Sequence, residues 1–174
     1  DMRLPFAGVF HNLMLLRIKK DFPGQARKAA HTVWGLGQAM FTKTIVVFDE
    51  EAPPLEDDDA LLELLLERLD VSRDIEFVFG PTETLDHASR ALHFGSKVSV
   101  DLTREFAGEG ERTADVPPCG RSDEEIVEAL VGLAGVQDAT VIGGRAVAVT
   151  VTKASPAVPR VTMEQIWDWG ERKG

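Results

Sequence analysis

The chain has little of what secreted and membrane-spanning proteins require. It contains one cysteine, Cys119, which excludes an internal disulfide framework and any zinc site built from several cysteines. A single thiol is consistent with a reducing compartment. No apolar run approaches the roughly 18 residues that cross a bilayer, and no basic and apolar leader precedes the first predicted strand. We therefore expect a soluble, cytoplasmic protein.

Positive charge is also scarce. Nineteen lysines and arginines face 29 aspartates and glutamates, which gives a formal net charge of -10. This balance argues against nucleic acid or an anionic membrane as the main partner, because phosphate binding needs clustered cations. The nearest approach to a basic patch is Lys19, Lys20, Arg27 and Lys28, a pattern that we interpret as a solvated turn and the outer face of one helix.

Groups with catalytic potential are few. The four histidines, His11, His31, His87 and His93, fall on different predicted elements, and the spacing gives none of them a nucleophile or a carboxylate partner. We therefore assign no catalytic, cofactor-binding or metal-ligating residue within the chain.

What the sequence does contain is a clear strand, turn, helix and strand unit. Residues 13–18 form an apolar run, 22–24 read Phe-Pro-Gly, and apolar positions recur at helical spacing through 24–40. The next strand, 43–49, has an apolar core, 45–48, that does not alternate with polar residues. Both of its faces should be covered, as in a layered α/β domain.

These patterns predict a three-layer α/β sandwich with a mixed β-sheet. We predict that this one sheet is built from the strands 10–18, 43–49, 75–79 and 97–102 and from a 139–152 hairpin that turns at Gly143-Gly144. The predicted helices are 24–40, 57–69, 122–134 and 162–172, with capping boxes that begin at Ser122 and Thr162. We expect a core at 1–106, a flexible loop at 107–121, and a helix-hairpin-helix extension at 122–174 that packs on the same domain.

A series of short segments follows in a fixed order over roughly residues 1–106. The segments are Leu4-Pro5 with Gly8, Ile18-Lys19-Lys20, Gly24 to Lys28, Val33-Trp34, Met40 to Lys43, Val46 to Asp49, Arg73-Asp74, Leu85 to Ser89, Gly95 to Lys97 and Val100 to Thr103. In this order they resemble the carboxy-terminal domain of the UbiD family, whose members are decarboxylases of aromatic and α,β-unsaturated acids.

The resemblance implies a function for a longer polypeptide. Such enzymes remove carbon dioxide without oxidation, using prenylated FMN with a divalent metal and potassium. Their flavin site and catalytic glutamate-arginine-glutamate set lie in the preceding, amino-terminal domain, so the isolated chain should be inactive. The expected substrate is a hydroxybenzoate or hydroxynaphthoate of ubiquinone or menaquinone biosynthesis, with peripheral membrane association through a prenylated substrate. The length of the final segment is more similar to the menaquinone-pathway members.

By the same resemblance, this domain assembles a dimer or hexamer and closes over the aromatic acid substrate. Carried over by position, Met40, Thr82 and Leu85 would line the substrate side. Apolar side chains shape a pocket for an aromatic ring and exclude water. The alternative is that Met40 and Leu85 belong to the ordinary core.

Two other functions stay open at this stage. The chain could be a standalone oligomerisation or binding module without catalytic activity, with the leucine-rich helix and the terminal tryptophans as its interface. It could also be a small α/β enzyme that uses Asp49, Glu50 and Glu51 at the carboxyl end of a strand, where open α/β sheets place ligands. The acidic stretch 50–59 is, on this reading, a candidate site for a divalent cation.

Overall fold

The computed structural model describes residues 1–5, 12–86, 89, 91–110, 120–144, 146–155 and 157–171. The chain divides into two compact units, Asp1–Ala114 and Asp115–Gly174. None of the helices formed by the described residues combines the length and the apolar character that crossing a bilayer requires.

The first unit is a mixed five-stranded sheet with helices on both faces. The strands are β1 (Met2–Arg3), β2 (Leu13–Ile18), β3 (Thr44–Asp49), β4 (Ile75–Pro81) and β5 (Phe94–Leu102), in the spatial order β1-β2-β3-β5-β4. Strands β2, β3 and β5 are parallel, and the edge strands β1 and β4 are antiparallel to their neighbours. The helices are α1 (Gln25–Trp34), a 3-10 helix (Gly37–Phe41), α2 (Asp58–Arg68) and α3 (Val71–Asp74). The predicted α/β class is confirmed.

Two apolar cores lie on opposite faces of this sheet. Because alternate residues of a strand point to opposite faces, β2 and β3 contribute to both cores. The α1-side core contains Met14, Leu16, Ala26, Ala30, Ile45 and Val47. The α2-side core contains Leu15, Val46, Phe48, Leu55, Leu61, Leu64, Val100 and Leu102. The prediction that both faces of the 43–49 strand are covered is confirmed.

The predicted helix at 24–40 is wrong in its second half. Helix α1 ends at Trp34, where the backbone N–H of Gly35 donates to the carbonyls of His31 and Thr32. Leu36 is then extended, and the 3-10 helix begins at Gly37, whose φ is 38°. Two glycines this close together end the α-helix, although the apolar spacing continues.

The second unit contains α4 (Asp123–Val131), β6 (Val136–Ile142), β7 (Ala146–Val151) and α5 (Val158–Glu171). The predicted hairpin forms, and Gly143 and Gly144 both have positive φ, as its tight turn requires. The prediction that this hairpin joins the mixed sheet is wrong. Strands β6 and β7 form a separate two-stranded sheet, because they pair only with each other.

Of the two predicted capping boxes, one is confirmed. The Ser122 side chain accepts from the backbone N–H of Glu125, and the Glu125 carboxylate accepts from the backbone N–H of Ser122. The second is wrong, because α5 begins at Val158 and Thr162 lies inside the helix with its side chain buried. Apolar positions upstream of Thr162 allow the helix to start one turn earlier.

Candidate functional site

The predicted site residues lie at the edge where the parallel strands β3 and β5 begin. Strand β5 pairs with β3 only from Val98 onward, so its first four residues extend past β3 and pair with β4 alone. The chain also reaches this edge through the 3-10 helix that precedes β3 and through the connection 82–93 between β4 and β5. We call it the amino-terminal edge, defined by Met40, Lys43, Thr82, Leu85 and Lys97.

Met40 is half-buried near the end of the 3-10 helix. Its backbone carbonyl accepts a hydrogen bond from the amine of Lys97, a β5 side chain that is only 3% exposed. The Lys97 amine also lies 5.9 Å from the centre of the Trp34 ring. Burial lowers the pKa of the Lys97 ammonium, because a charge removed from water is disfavoured.

Leu85 is presented to the outside by an anchored loop. It is 75% exposed. The next residue, Asp86, forms an ion pair with Lys43 at 2.8 Å and accepts a hydrogen bond from the Ser89 hydroxyl at 2.5 Å. The Leu85 backbone N–H donates to the carboxylate of Glu83 at 2.7 Å. Leu85 therefore does not belong to the core of this chain.

Thr82 lies beneath that loop. Its side chain is fully buried, and its backbone N–H donates to the carbonyl of His93 at 3.1 Å. No described residue provides a hydrogen-bond partner for its hydroxyl. Gly95 has no room for a side chain here, since a Cβ would lie 3.2 Å from Thr82 Cγ2 and 2.2 Å from the Ser89 hydroxyl.

Two contacts tie the segments of Leu85 and Met40 to this edge, where Thr82 lies beneath the Leu85 loop. The Lys43–Asp86 pair ties the start of β3 to the loop of Leu85, and Lys97 ties β5 to Met40. The amino-terminal edge therefore presents the exposed Leu85 and the half-buried Met40. Beneath them lies a polar layer of Lys43, Asp86 and Lys97, in which both lysines already have partners within the chain. Such a surface suits apolar contact with a flat ring.

A comparison with known protein families matches the part of the chain that forms this sheet. The family model described as the carboxy-terminal domain of 3-octaprenyl-4-hydroxybenzoate carboxy-lyase matches residues 1–102. The chain belongs to the UbiD family. The resemblance predicted from the ordered segments is thereby confirmed, and the match covers the whole five-stranded sheet.

The relatives of this UbiD domain are longer than the chain. An uncharacterised protein from Archaeoglobus fulgidus is 35% identical over 111 residues, which are 63% of this chain and 23% of that protein. The 3,4-dihydroxybenzoic acid decarboxylase AroY of Klebsiella pneumoniae is similar with a TM-score of 0.51 and 26% identity, covering 64% of this chain and 26% of that one.

A third neighbour contains a bound flavin. The UbiD-class enzyme HmfF of Pelotomaculum thermopropionicum, in complex with FMN, aligns with a TM-score of 0.53 and 22% identity over 67% of this chain and 26% of that one. This likeness shows the shared fold. The UbiD domain described here thus spans about a quarter of the length of the proteins it matches.

Sequence reasoning missed the polar layer of the UbiD edge. Lys43, Asp86 and Lys97 appear in the matched segments, but no spacing along the chain pairs them. Along β5, polar residues alternate with apolar ones: Lys97, Ser99 and Asp101 against Val98, Val100 and Leu102. This pattern predicts an exposed lysine. One signal was available in the sequence. A lysine inside an apolar strand of a layered sheet can be buried, and a buried lysine needs a partner within the chain.

The opposite edge of the UbiD sheet offers no support for the acidic-site hypothesis. Asp49 is buried, and its carboxylate accepts from the backbone N–H groups of Glu50 at 2.8 Å and Arg104 at 3.1 Å. Within the described ranges, no group of three or more His, Cys, Asp or Glu side chains is placed to hold a metal ion. The stretch 50–59 instead caps α2, because the Asp57 side chain accepts from the backbone N–H of Ala60.

The histidines and the cysteine add little to the site. His31 lies 3.1 Å from the Glu76 carboxylate and meets the Trp34 ring edge to face. His93 has a φ of 62° where the chain enters β5. His11, His87 and Cys119 lie outside the described residues.

Proposed function

We propose that this chain is the carboxy-terminal domain of a prenylated-FMN-dependent, non-oxidative aromatic acid decarboxylase. The observation that carries the proposal is the amino-terminal edge of a UbiD-family sheet, where an exposed Leu85 and a half-buried Met40 are held by contacts within the chain. In this proposal the domain closes over the substrate, and the remainder of the longer polypeptide supplies the chemistry.

Met40 and Leu85 would contact the aromatic ring from one side. Apolar side chains at this position exclude water from a reaction in which charge develops near the cofactor. The buried Thr82 would support the Leu85 loop and so help to shape the same surface. Lys43 would hold the loop in place through Asp86.

The start of α1 does not offer a phosphate site for the flavin. A helix amino terminus is the usual place for a flavin phosphate, and at the start of α1 the Glu109 carboxylate already accepts from the backbone N–H of Gly24 at 2.6 Å. A second anion there would be repelled. The proposal therefore assigns prenylated FMN, the divalent metal and potassium to the flavin-binding amino-terminal domain, and it expects the isolated chain to be inactive.

The substrate class follows from the matching family. Its description names a polyprenylated hydroxybenzoate, which supports a step in ubiquinone biosynthesis, and a hydroxynaphthoate of the menaquinone pathway is the alternative. A prenyl chain on the substrate would bring a cytoplasmic enzyme into peripheral contact with the membrane.

A role in oligomer assembly is supported by an exposed aromatic surface. Phe77 and Phe79 of the edge strand β4 are each 73% exposed, and Phe94 of β5, 52% exposed, stacks on Phe79 with ring centres 6.1 Å apart. We call these three residues the aromatic face. Exposed apolar patches of this kind mark interaction sites, and a second subunit is the proposed occupant.

The same face favours the second candidate, a standalone oligomerisation or binding module. The two are distinguished by the mass of the native polypeptide, detected in an extract of the source cells with an antibody raised against this chain. The decarboxylase proposal expects a band several times larger than 19.1 kDa. A band near 19.1 kDa would contradict it and favour the module.

A further inference from the structure

Lys97 makes an unusual set of contacts for a lysine. Its side chain is 3% exposed, and its amine donates to the Met40 carbonyl beside the Trp34 ring. Gly80 on the paired strand lies beside the stem, since a Cβ there would be in ordinary contact with Lys97 Cε at 3.6 Å. Within the described part of the chain, no carboxylate lies at ion-pair distance from this amine.

Trp34 holds the same segment at a second point. Its indole N–H donates to the carbonyl of Thr42 at 2.9 Å, two residues after the carbonyl that Lys97 holds. The Thr42 backbone N–H donates back to the carbonyl of Ala39 at 3.0 Å. Residues 40–42, at the end of the 3-10 helix that precedes β3, are therefore fixed by two side chains that contact each other.

This arrangement is expensive in stability. Burying an ammonium group with one neutral carbonyl and one ring as partners costs more than a single hydrogen bond returns. An apolar side chain of similar length would fill the space between α1 and the sheet at lower cost. Buried charges without a counter-charge break the usual rules for a stable core, and such exceptions concentrate at functional sites, where a fixed geometry matters more than local stability.

We propose that Lys97, assisted by Trp34, is a positioning residue that fixes the backbone at Met40 and so sets where the Met40 side chain stands on the substrate-facing edge. The inference rests on the proposed function for its catalytic consequence. Lys97 acts through the Met40 carbonyl and makes no contact with substrate in this account.

The first test follows the Met40 methyl group by NMR in the whole chain, labelled at the methionine methyl carbons. The variants are Lys97→Leu, which removes the amine, and Trp34→Phe, which keeps a ring and removes the indole donor. We expect the Met40 resonance to shift and broaden in both, while Met2, exposed on the edge strand β1, keeps its position. The control is Ser96→Leu, an exposed neighbour on β5, which should leave Met40 unchanged.

An unchanged Met40 resonance in a folded Lys97→Leu chain would overturn the inference. If Lys97→Leu does not fold, Trp34→Phe decides by the same criterion. These readouts do not depend on activity.

The second test uses the longer polypeptide. Lys97→Leu should lower kcat/KM for the aromatic acid by about 10- to 100-fold at unchanged fold, the effect of misplacing a substrate contact by about 1 Å, and Ser96→Leu should not. A normal kcat/KM in a variant whose Met40 resonance has moved would contradict the catalytic consequence alone. If the wild-type polypeptide has no decarboxylase activity, the proposed function is wrong. The positioning role of Lys97 is then decided by the NMR result alone.

Discussion

Glu109 is the residue that joins three parts of the first unit. Its carboxylate accepts from the Lys20 amine at 2.7 Å, from the backbone N–H of Gly24 at 2.6 Å and from that of Phe106 at 2.8 Å. Burial alone would raise the pKa of Glu109, but the hydrogen bonds from Lys20, Gly24 and Phe106 and the charge of Lys20 outweigh it, so that the pKa is lowered. The ionised form is thus the one that the fold stabilises.

Replacing this carboxylate should be costly. We expect Glu109→Gln to lower the free energy of unfolding by about 3 kcal/mol, because it leaves the fully buried Lys20 without its closest counter-charge. Urea unfolding followed at the Trp34 indole resonance measures the change. The matched control, Glu105→Gln, breaks a more exposed pair with Arg73 and should cost less than about 1 kcal/mol.

The same pair sets a pH dependence. A lowered carboxyl pKa contributes stability that is present above the ordinary glutamate value of 4.5 and is lost as the pH falls through the folded-state pKa. The difference between wild type and Glu109→Gln should therefore shrink in acid. A difference that stays constant from pH 7 to pH 3 would contradict this assignment.

Single-residue environments were the least predictable feature of the sequence. Lys20 was interpreted as part of a solvated turn, yet its side chain is fully buried, because its partner Glu109 lies 89 residues further along the chain. Lys97 follows the same pattern at the amino-terminal edge. Local spacing cannot reveal partners that only the fold brings together. The assignment of Leu85 to the substrate side came from the matched family segment and stays a prediction.

At the scale of elements, periodicity and capping residues predicted the type of an element but not its length. The continuous apolar run of β3 and the Gly143-Gly144 turn were predicted correctly. Helix α1 was predicted too long because apolar spacing persists beyond Gly35. Strand β1, of two residues, and α3, of four, were missed because periodicity needs a longer window.

The capping box of α4 gives a prediction at this scale. We expect Ser122→Ala to destabilise the second unit by about 1 kcal/mol, because the backbone N–H of Glu125 loses its acceptor. Thermal unfolding followed at the α4 amide resonances measures the effect. Ser122→Thr keeps the hydroxyl and should remain within a few tenths of wild type, and equal losses in both variants would rule out the capping role.

At the scale of the whole molecule, the aromatic face predicts self-association. Phe77→Lys combined with Phe79→Lys should shift the chain towards monomer in sedimentation velocity, because two charges would be buried at a subunit interface. Folding should be unaffected, since both side chains are exposed. Val71→Lys, at a residue 67% exposed elsewhere on the first unit, is the matched control. Unchanged association in the double variant would exclude this face as the interface.

The main proposal, that the longer polypeptide is an aromatic acid decarboxylase, is tested by measuring its activity. The polypeptide captured from source-cell extract with an antibody against this chain should be loaded with prenylated FMN, a divalent metal and potassium, and offered prenylated and unprenylated hydroxybenzoates and a hydroxynaphthoate. We expect carbon dioxide release from one of these acids, and none from the isolated 174-residue chain. A loaded polypeptide that binds the flavin and releases carbon dioxide from none of them would contradict the proposed decarboxylase.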